Sequence, residues 1–181
     1  MTDTALRLAK CFGPAGLRES KLTWAEELSE AEVRRNPMGY KILVVDDEEP
    51  VRDLLKDFLE EEGHTVVMAS SGNEALLSAE KESPQLIVLD VRMPGLDGIK
   101  TCAALRANEK TRGIPIILAT AFREVLEDAL AAGVDDFVTK PFHLAELLHR
   151  VQSLLRVRHL EDGLERAAAY VYELRKDLPK R

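Results

Sequence analysis

The sequence predicts an α/β domain whose parallel sheet is covered on both faces by helices. Three observations lead there. Five short apolar runs rich in β-branched residues read as strands buried on both faces. Between them lie segments with apolar residues at helical spacing, so strand and helix alternate. Four of the strands end at polar residues: Asp46 and Asp47 after the first, Asp90 at the end of the third, Thr120 after the fourth and Lys140 after the fifth.

The first strand is Ile42-Leu43-Val44-Val45, stopped by the acidic run Asp46 to Glu49. Pro50 suits a first helical turn, and Val51, Leu54, Leu55, Phe58 and Leu59 continue a helix up to Gly63. The second strand runs from His64 to Ala69. Ser71-Gly72-Asn73 then opens a helix carrying Ala75, Leu76 and Ala79. Gln85 to Leu89 is the third apolar run. The turn-rich stretch Met93 to Gly98 leads into a helix through Ile99, Ala103 and Leu105. Ile114 to Ala119 is the fourth strand, Phe122 to Ala132 a helix closed by Gly133, and Asp136 to Thr139 the fifth strand. The last helix begins near His143.

The flanks differ from this body. Residues 1–38 form a weakly patterned N-terminal extension, with a helix over Lys21–Arg35 and Trp24 as its anchor. Beyond residue 156, Val157, Leu160, Leu164, Ala167, Val171, Leu174 and Leu178 recur as an a/d heptad seam. Two readings of residues 157–181 stay open: a coiled coil joining two chains, or a helix folded back on its own domain.

Of 181 residues, 45% are hydrophobic and 31% charged. No apolar window is long enough to span a membrane, and the N-terminus has no apolar signal core. Cys11 and Cys102 are too far apart in sequence for a metal knuckle and make no disulfide framework. A cytoplasmic protein is expected. The net charge of −7 gives no electrostatic reason to expect nucleic-acid binding.

In a parallel sheet the polar strand ends share one edge, where open α/β folds bind ligands. Three clustered carboxylates repel one another, and protonation or a cation must relieve them. Lys140 supplies one positive charge. An all-oxygen donor set with room for waters favours Mg²⁺ over Ca²⁺. Metal, ammonium and an in-line nucleophile are the equipment of phosphoryl transfer, and an aspartate can form an acyl phosphate.

The stretches Ile42 to Asp47, Leu86 to Gly98, Ile117 to Ala121 and Phe137 to Phe142 resemble the receiver domain of two-component response regulators. Their order and separations, thirty residues from Asp90 to Thr120 and twenty from Thr120 to Lys140, match the family. The resemblance implies a flavodoxin-like doubly wound (βα)5 sheet of order 2-1-3-4-5 over residues 39–156. It implies Asp90 as phosphoacceptor, with Mg²⁺ held by Asp46, Asp47, Asp90 and the main-chain carbonyl of Arg92. It makes Thr120 and Phe137 the switch residues, Lys140 the partner of the phosphoryl oxygens, and Pro141 the site of a cis peptide. The expected activity is self-catalysed aspartyl phosphorylation and dephosphorylation rather than turnover of a small substrate. Phe122 and Arg92 are candidates to rim the acceptor and set the lifetime of its phosphate.

The partner implied upstream is a sensor histidine kinase or a histidine phosphotransfer protein. A homodimer through the C-terminal helix is expected, without membrane insertion. The residues after Phe142 are too few for a helix-turn-helix or winged domain, so no direct DNA binding is expected; a stand-alone regulator and a piece of a longer one both fit. Other aspartyl-nucleophile enzymes usually carry a second carboxylate where this chain has Arg92. A degenerate receiver that only binds partners is the remaining alternative, and the intact acceptor set argues against it.

Overall fold

A computed structural model describes residues 39–121, 126–158 and 169–171. The chain divides into two units, Met1–Pro37 and Met38–Arg181, and the described residues all belong to the second. The helix expected over Lys21–Arg35 and the Trp24 anchor lie outside them, as does Phe122.

Ten elements alternate along the chain: β1 Lys41–Val45, α1 Glu49–Glu61, β2 Thr65–Ala69, α2 Gly72–Glu82, β3 Leu86–Asp90, α3 Gly98–Ala107, β4 Ile116–Thr120, α4 Leu126–Ala131, β5 Asp136–Thr139 and α5 Leu144–Val157. The five strands form one parallel sheet of order β2-β1-β3-β4-β5, the order the family resemblance implies.

Alternation of side chains along the strands divides the core into two layers. Ile42, Val44, Leu86, Val88 and Ile117 face Leu55 and Leu59 of α1 and Leu147, Val151 and Leu154 of α5. Leu43, Val45, Ile87, Leu89 and Leu118 face Ala75 and Ala79 of α2, Cys102 and Leu105 of α3, and Ala129 of α4. Each large aliphatic side chain buried this way contributes about 1.5–3 kcal/mol. Ala169 and Tyr170, far along the C-terminal segment, also join the α1/α5 layer.

The starts of β2 and β4 differ from the sequence reading for local reasons. His64 belongs to the turn after α1: its N–H donates to the Leu59 carbonyl, and β2 starts at Thr65. Ile114 is held in a turn by a bond from its N–H to the Thr111 carbonyl. Pro115 has no N–H to add to the ladder, so β4 starts at Ile116.

Helix starts follow the capping rules. Pro50 occupies the first turn of α1. The Ser71 hydroxyl accepts from Glu74 N–H at 3.3 Å, while the Glu74 carboxylate reaches back to Ser70 N–H and hydroxyl, a variant of the capping box. Asp97 caps α3 by accepting from Lys100 N–H at 2.8 Å.

Candidate functional site

The carboxyl ends of β1, β3, β4 and β5 place Asp46, Asp90, Thr120 and Lys140 along one edge of the sheet. Asp46, Asp90 and Thr120 are buried. The Lys140 ammonium stands between the two aspartates, 2.7 Å from Asp46 Oδ2 and 2.6 Å from Asp90 Oδ1. The free oxygens of both carboxylates are also used: Asp46 Oδ1 accepts from Glu48 N–H at 3.0 Å and Asp90 Oδ2 from Arg92 N–H at 2.6 Å. Two buried charges are thus satisfied by one ammonium and two main-chain donors, as burial demands.

Backbone contacts hold these side chains in place. Lys140 N–H donates to the Thr120 carbonyl at 2.7 Å, joining the ends of β4 and β5 beneath the site, and the Lys140–Pro141 peptide is cis. The loop after β3 folds back on the acceptor strand, with Gly98 N–H donating to the Val91 carbonyl at 2.9 Å. A Cβ at Gly98 would lie 2.1 Å from the Asp90 carbonyl oxygen, so only glycine lets α3 start this close.

Burial raises the Asp90 carboxyl above the ordinary aspartate value; the Lys140 hydrogen bond and charge oppose this and Asp46 adds to it. Burial also works against the Lys140 ammonium, but its bonds to Asp46 and Asp90 outweigh it and hold the amine above the usual lysine value. The Asp90 carboxylate is therefore desolvated, while the Lys140 ammonium beside it stays charged near neutral pH.

Asp47 is exposed beside this trio, and Arg92 is exposed as well. Phe137 is half-buried in β5 and packs in the α2/α3/α4 layer. Among the described residues no three His, Cys, Asp or Glu side chains gather closely enough to hold a metal between them. Lys140 lies between the Asp46 and Asp90 carboxylates, and Asp47 is exposed to solvent. The donor set still fits a hydrated Mg²⁺, which takes one or two carboxylates and keeps several waters, better than it fits Ca²⁺ with its six to eight ligands.

One residue of the site was missed by the sequence reading. Arg52, in the first turn of α1, donates from Nη1 to the main-chain carbonyl of Asp46 at 2.6 Å. A cation in the first turn of a helix is itself a signal, because the helix dipole disfavours it there.

A doubly wound parallel sheet with two buried carboxylates joined by a lysine at its carboxyl edge is the arrangement expected of a signalling receiver module. A family model described as the response regulator receiver domain matches residues 42–152, and the chain belongs to that family, a module of two-component signalling. It is 48% identical over 121 residues to the alkaline phosphatase synthesis transcriptional regulatory protein PhoP of Bacillus subtilis, covering 66% of this chain and 50% of PhoP. It is 49% identical over 118 residues to the probable transcriptional regulator ycf27 of Pyropia yezoensis, covering 64% of this chain and 47% of that protein. Among solved structures, it resembles the receiver domain of a sensor histidine kinase from Pseudomonas aeruginosa, described with a magnesium ion coordinated in the active site cleft. The TM-score there is 0.61 at 34% identity, covering 65% of this chain and 98% of that one.

These relatives correct one expectation. The absence of direct DNA binding was argued from net charge and from the few residues after Phe142. The chain spans about half the length of curated relatives that are named transcriptional regulators, and that expectation does not stand. Among the described residues no helix is long and apolar enough to cross a membrane.

Proposed function

We propose that the protein is a phosphorylation-dependent switch whose acceptor is Asp90. An Asp90 carboxylate oxygen attacks the phosphorus of a phosphohistidine on a sensor histidine kinase or a histidine phosphotransfer protein. The P–N bond breaks as the O–P bond forms, and the imidazole leaves. The observation that carries this reading is the Lys140 ammonium bridging Asp46 and Asp90, a fixed cation at the place where phosphoryl oxygens would arrive.

Asp46, Asp47, Asp90 and the Arg92 carbonyl would hold Mg²⁺, whose charge would offset that on the phosphoryl oxygens. The chain's own residues do the rest. Asp90 supplies the nucleophile, Lys140 moves from neutralising carboxylates to neutralising phosphate, and the Thr120 hydroxyl donates to a phosphoryl oxygen. That last contact exists only in the phosphorylated state, which is what a two-state change requires, and Phe137 follows Thr120 inward. The switching domain is residues 39–156, cytoplasmic, and residues 157–181 join two chains into a homodimer. The named roles of PhoP and ycf27 support transcriptional control as its output.

Acetyl phosphate with Mg²⁺ should add one phosphoryl group, read by mass spectrometry, and Asp90→Ala should abolish it. Labelling that persists in Asp90→Ala rejects the acceptor. A wild-type chain that takes no label is instead an interaction module without phosphate chemistry.

A further inference from the structure

Arg52 breaks a local rule. It lies in the first turn of α1, Glu49–Glu61, where the dipole favours anions, yet it is a half-buried cation. Residues that oppose local preference often mark function, and its contact suggests which. Its Nη1 donates to the Asp46 carbonyl at 2.6 Å. That carbonyl belongs to the peptide joining Asp46 to Asp47, so the bond sets the plane from which the Asp47 side chain departs.

The other groups of Asp46 are anchored independently. Its N–H donates to the Ala69 carbonyl at 3.3 Å, and its carboxylate is held by Glu48 N–H and Lys140. Asp47 is exposed, so the peptide before it is where the pair is held by a side chain of α1. On the side of α2, Ser70 N–H and hydroxyl hold the Glu74 carboxyl below its usual range, and the Arg52 charge adds to that effect.

We propose that Arg52 is a positioning residue for the metal-binding pair, orienting the Asp46–Asp47 peptide so that Asp47 faces the cation. This rests on the Mg²⁺ reading above. Positioning and simple charge make opposite demands. Deleting a cation beside an acidic pocket would by itself tighten Mg²⁺ binding, whereas loss of orientation weakens it.

The test is calorimetric titration of the full, unphosphorylated chain with Mg²⁺ alone, for wild type, Arg52→Met and Arg52→Lys. Met keeps the apolar stem, and Lys keeps the charge and one donor. We expect Arg52→Met to weaken Mg²⁺ binding about tenfold, the low end for groups that orient metal ligands, and Arg52→Lys to recover part of that loss. Amide exchange at Asp47 and Glu48 should quicken in Arg52→Met. Mg²⁺ affinity in Arg52→Met equal to or tighter than wild type, with a wild-type melting curve, overturns the proposal. If Arg52→Met does not fold, Arg52→Lys decides: affinity identical to wild type overturns it, and a weakened affinity supports it. A wild-type chain that takes up no Mg²⁺ rejects the metal reading itself, and the positioning role falls with it.

Discussion

The hydroxyl of Tyr170 donates a hydrogen bond to the carboxylate of Asp136, the first residue of β5, across 34 residues of sequence. Arg150 of α5 grips the same carboxylate from the other side, with Nη1 2.9 and 2.6 Å from its two oxygens, and binds Glu146 through Nη2 at 3.0 Å. Burial, then the Asp136 charge, pushes the Tyr170 phenol well above its ordinary value, so it remains a donor. We expect Tyr170→Phe to keep the packing and lose the bond, costing about 2 kcal/mol. Tyr170→Ala should cost about 3–5 kcal/mol. Urea unfolding followed by circular dichroism measures both; equal stability of Tyr170→Phe and wild type would show the hydroxyl to be idle.

Lys140 bridges two buried carboxylates and is the cation paired with both. Replacing it with Met leaves Asp46 and Asp90 without a counter-charge, a loss of about 3 kcal/mol at neutral pH. Lowering the pH should restore part of this, because the already raised Asp90 carboxyl can take up a proton. Unfolding midpoints at pH 7.5 and 5.5 test it, and a Lys140→Met deficit that does not shrink on acidification counts against this account.

His64 links a pH effect to the opposite edge of the sheet. Its Nδ1 accepts from Tyr40 N–H at 3.3 Å, and Nε2 is buried without a hydrogen-bond partner. Burial pushes the imidazole below its ordinary value, with Glu62 opposing. The sign follows from linkage: the unfolded chain takes up a proton near pH 6.5 while the folded chain resists. The stabilisation is therefore present above pH 6.5 and is lost as pH falls toward the folded value. Melting temperature should drop more steeply between pH 7 and 5.5 in wild type than in His64→Gln; parallel curves would remove His64 from the explanation.

Thr120 is buried at the end of β4, and its main-chain carbonyl is already committed to Lys140 N–H. We expect Thr120→Ala to accept phosphate at Asp90 yet fail to move Phe137. Fluorine-labelled phenylalanine, observed by NMR with and without beryllofluoride and Mg²⁺, reports this directly. A Phe137 signal that shifts equally in both proteins would separate the ring from the hydroxyl.

Two positions of the expected C-terminal seam lie among the described residues. Val157 is buried in the domain core, whereas Val171 is 46% exposed and so accessible to a second chain. Leu160, Leu164, Ala167, Leu174 and Leu178 lie outside the described residues. Light scattering on the full chain should give a dimer, and Val171→Glu a lighter particle. An unchanged mass would place the dimer contact elsewhere or show that none forms.

What could be read from the sequence follows from physical range. Ile42 to Val45 and Leu86 to Leu89 announce strands because burial on both faces requires unbroken apolar runs. Asp90, Thr120 and Lys140 could be placed together because strand ends in a parallel sheet share an edge. Arg52, His64 and Tyr170 could not be placed in the same way. The Arg52 bond depends on how α1 leaves β1, and the Tyr170 bond on where a distant segment lands. Periodicity is silent about contacts between residues that share no element. How exposed each carboxylate is could not be read either: Asp46 and Asp90 are buried against Lys140, whereas Asp47 is exposed.

Asp46 and Lys140 are 94 positions apart, one at the end of the first strand and the other at the end of the last. Their ion pair closes the domain like a clasp. A chain emerging from synthesis presents Asp46, Asp47 and Asp90 long before it presents the ammonium. Until β5 has docked, those carboxylates remain an open, hydrated and mutually repelling set without the Lys140 cation. Under the proposed role of Asp90, the chemistry and the completion of the fold share one contact, and an unfinished copy lacks the cation that the reaction needs.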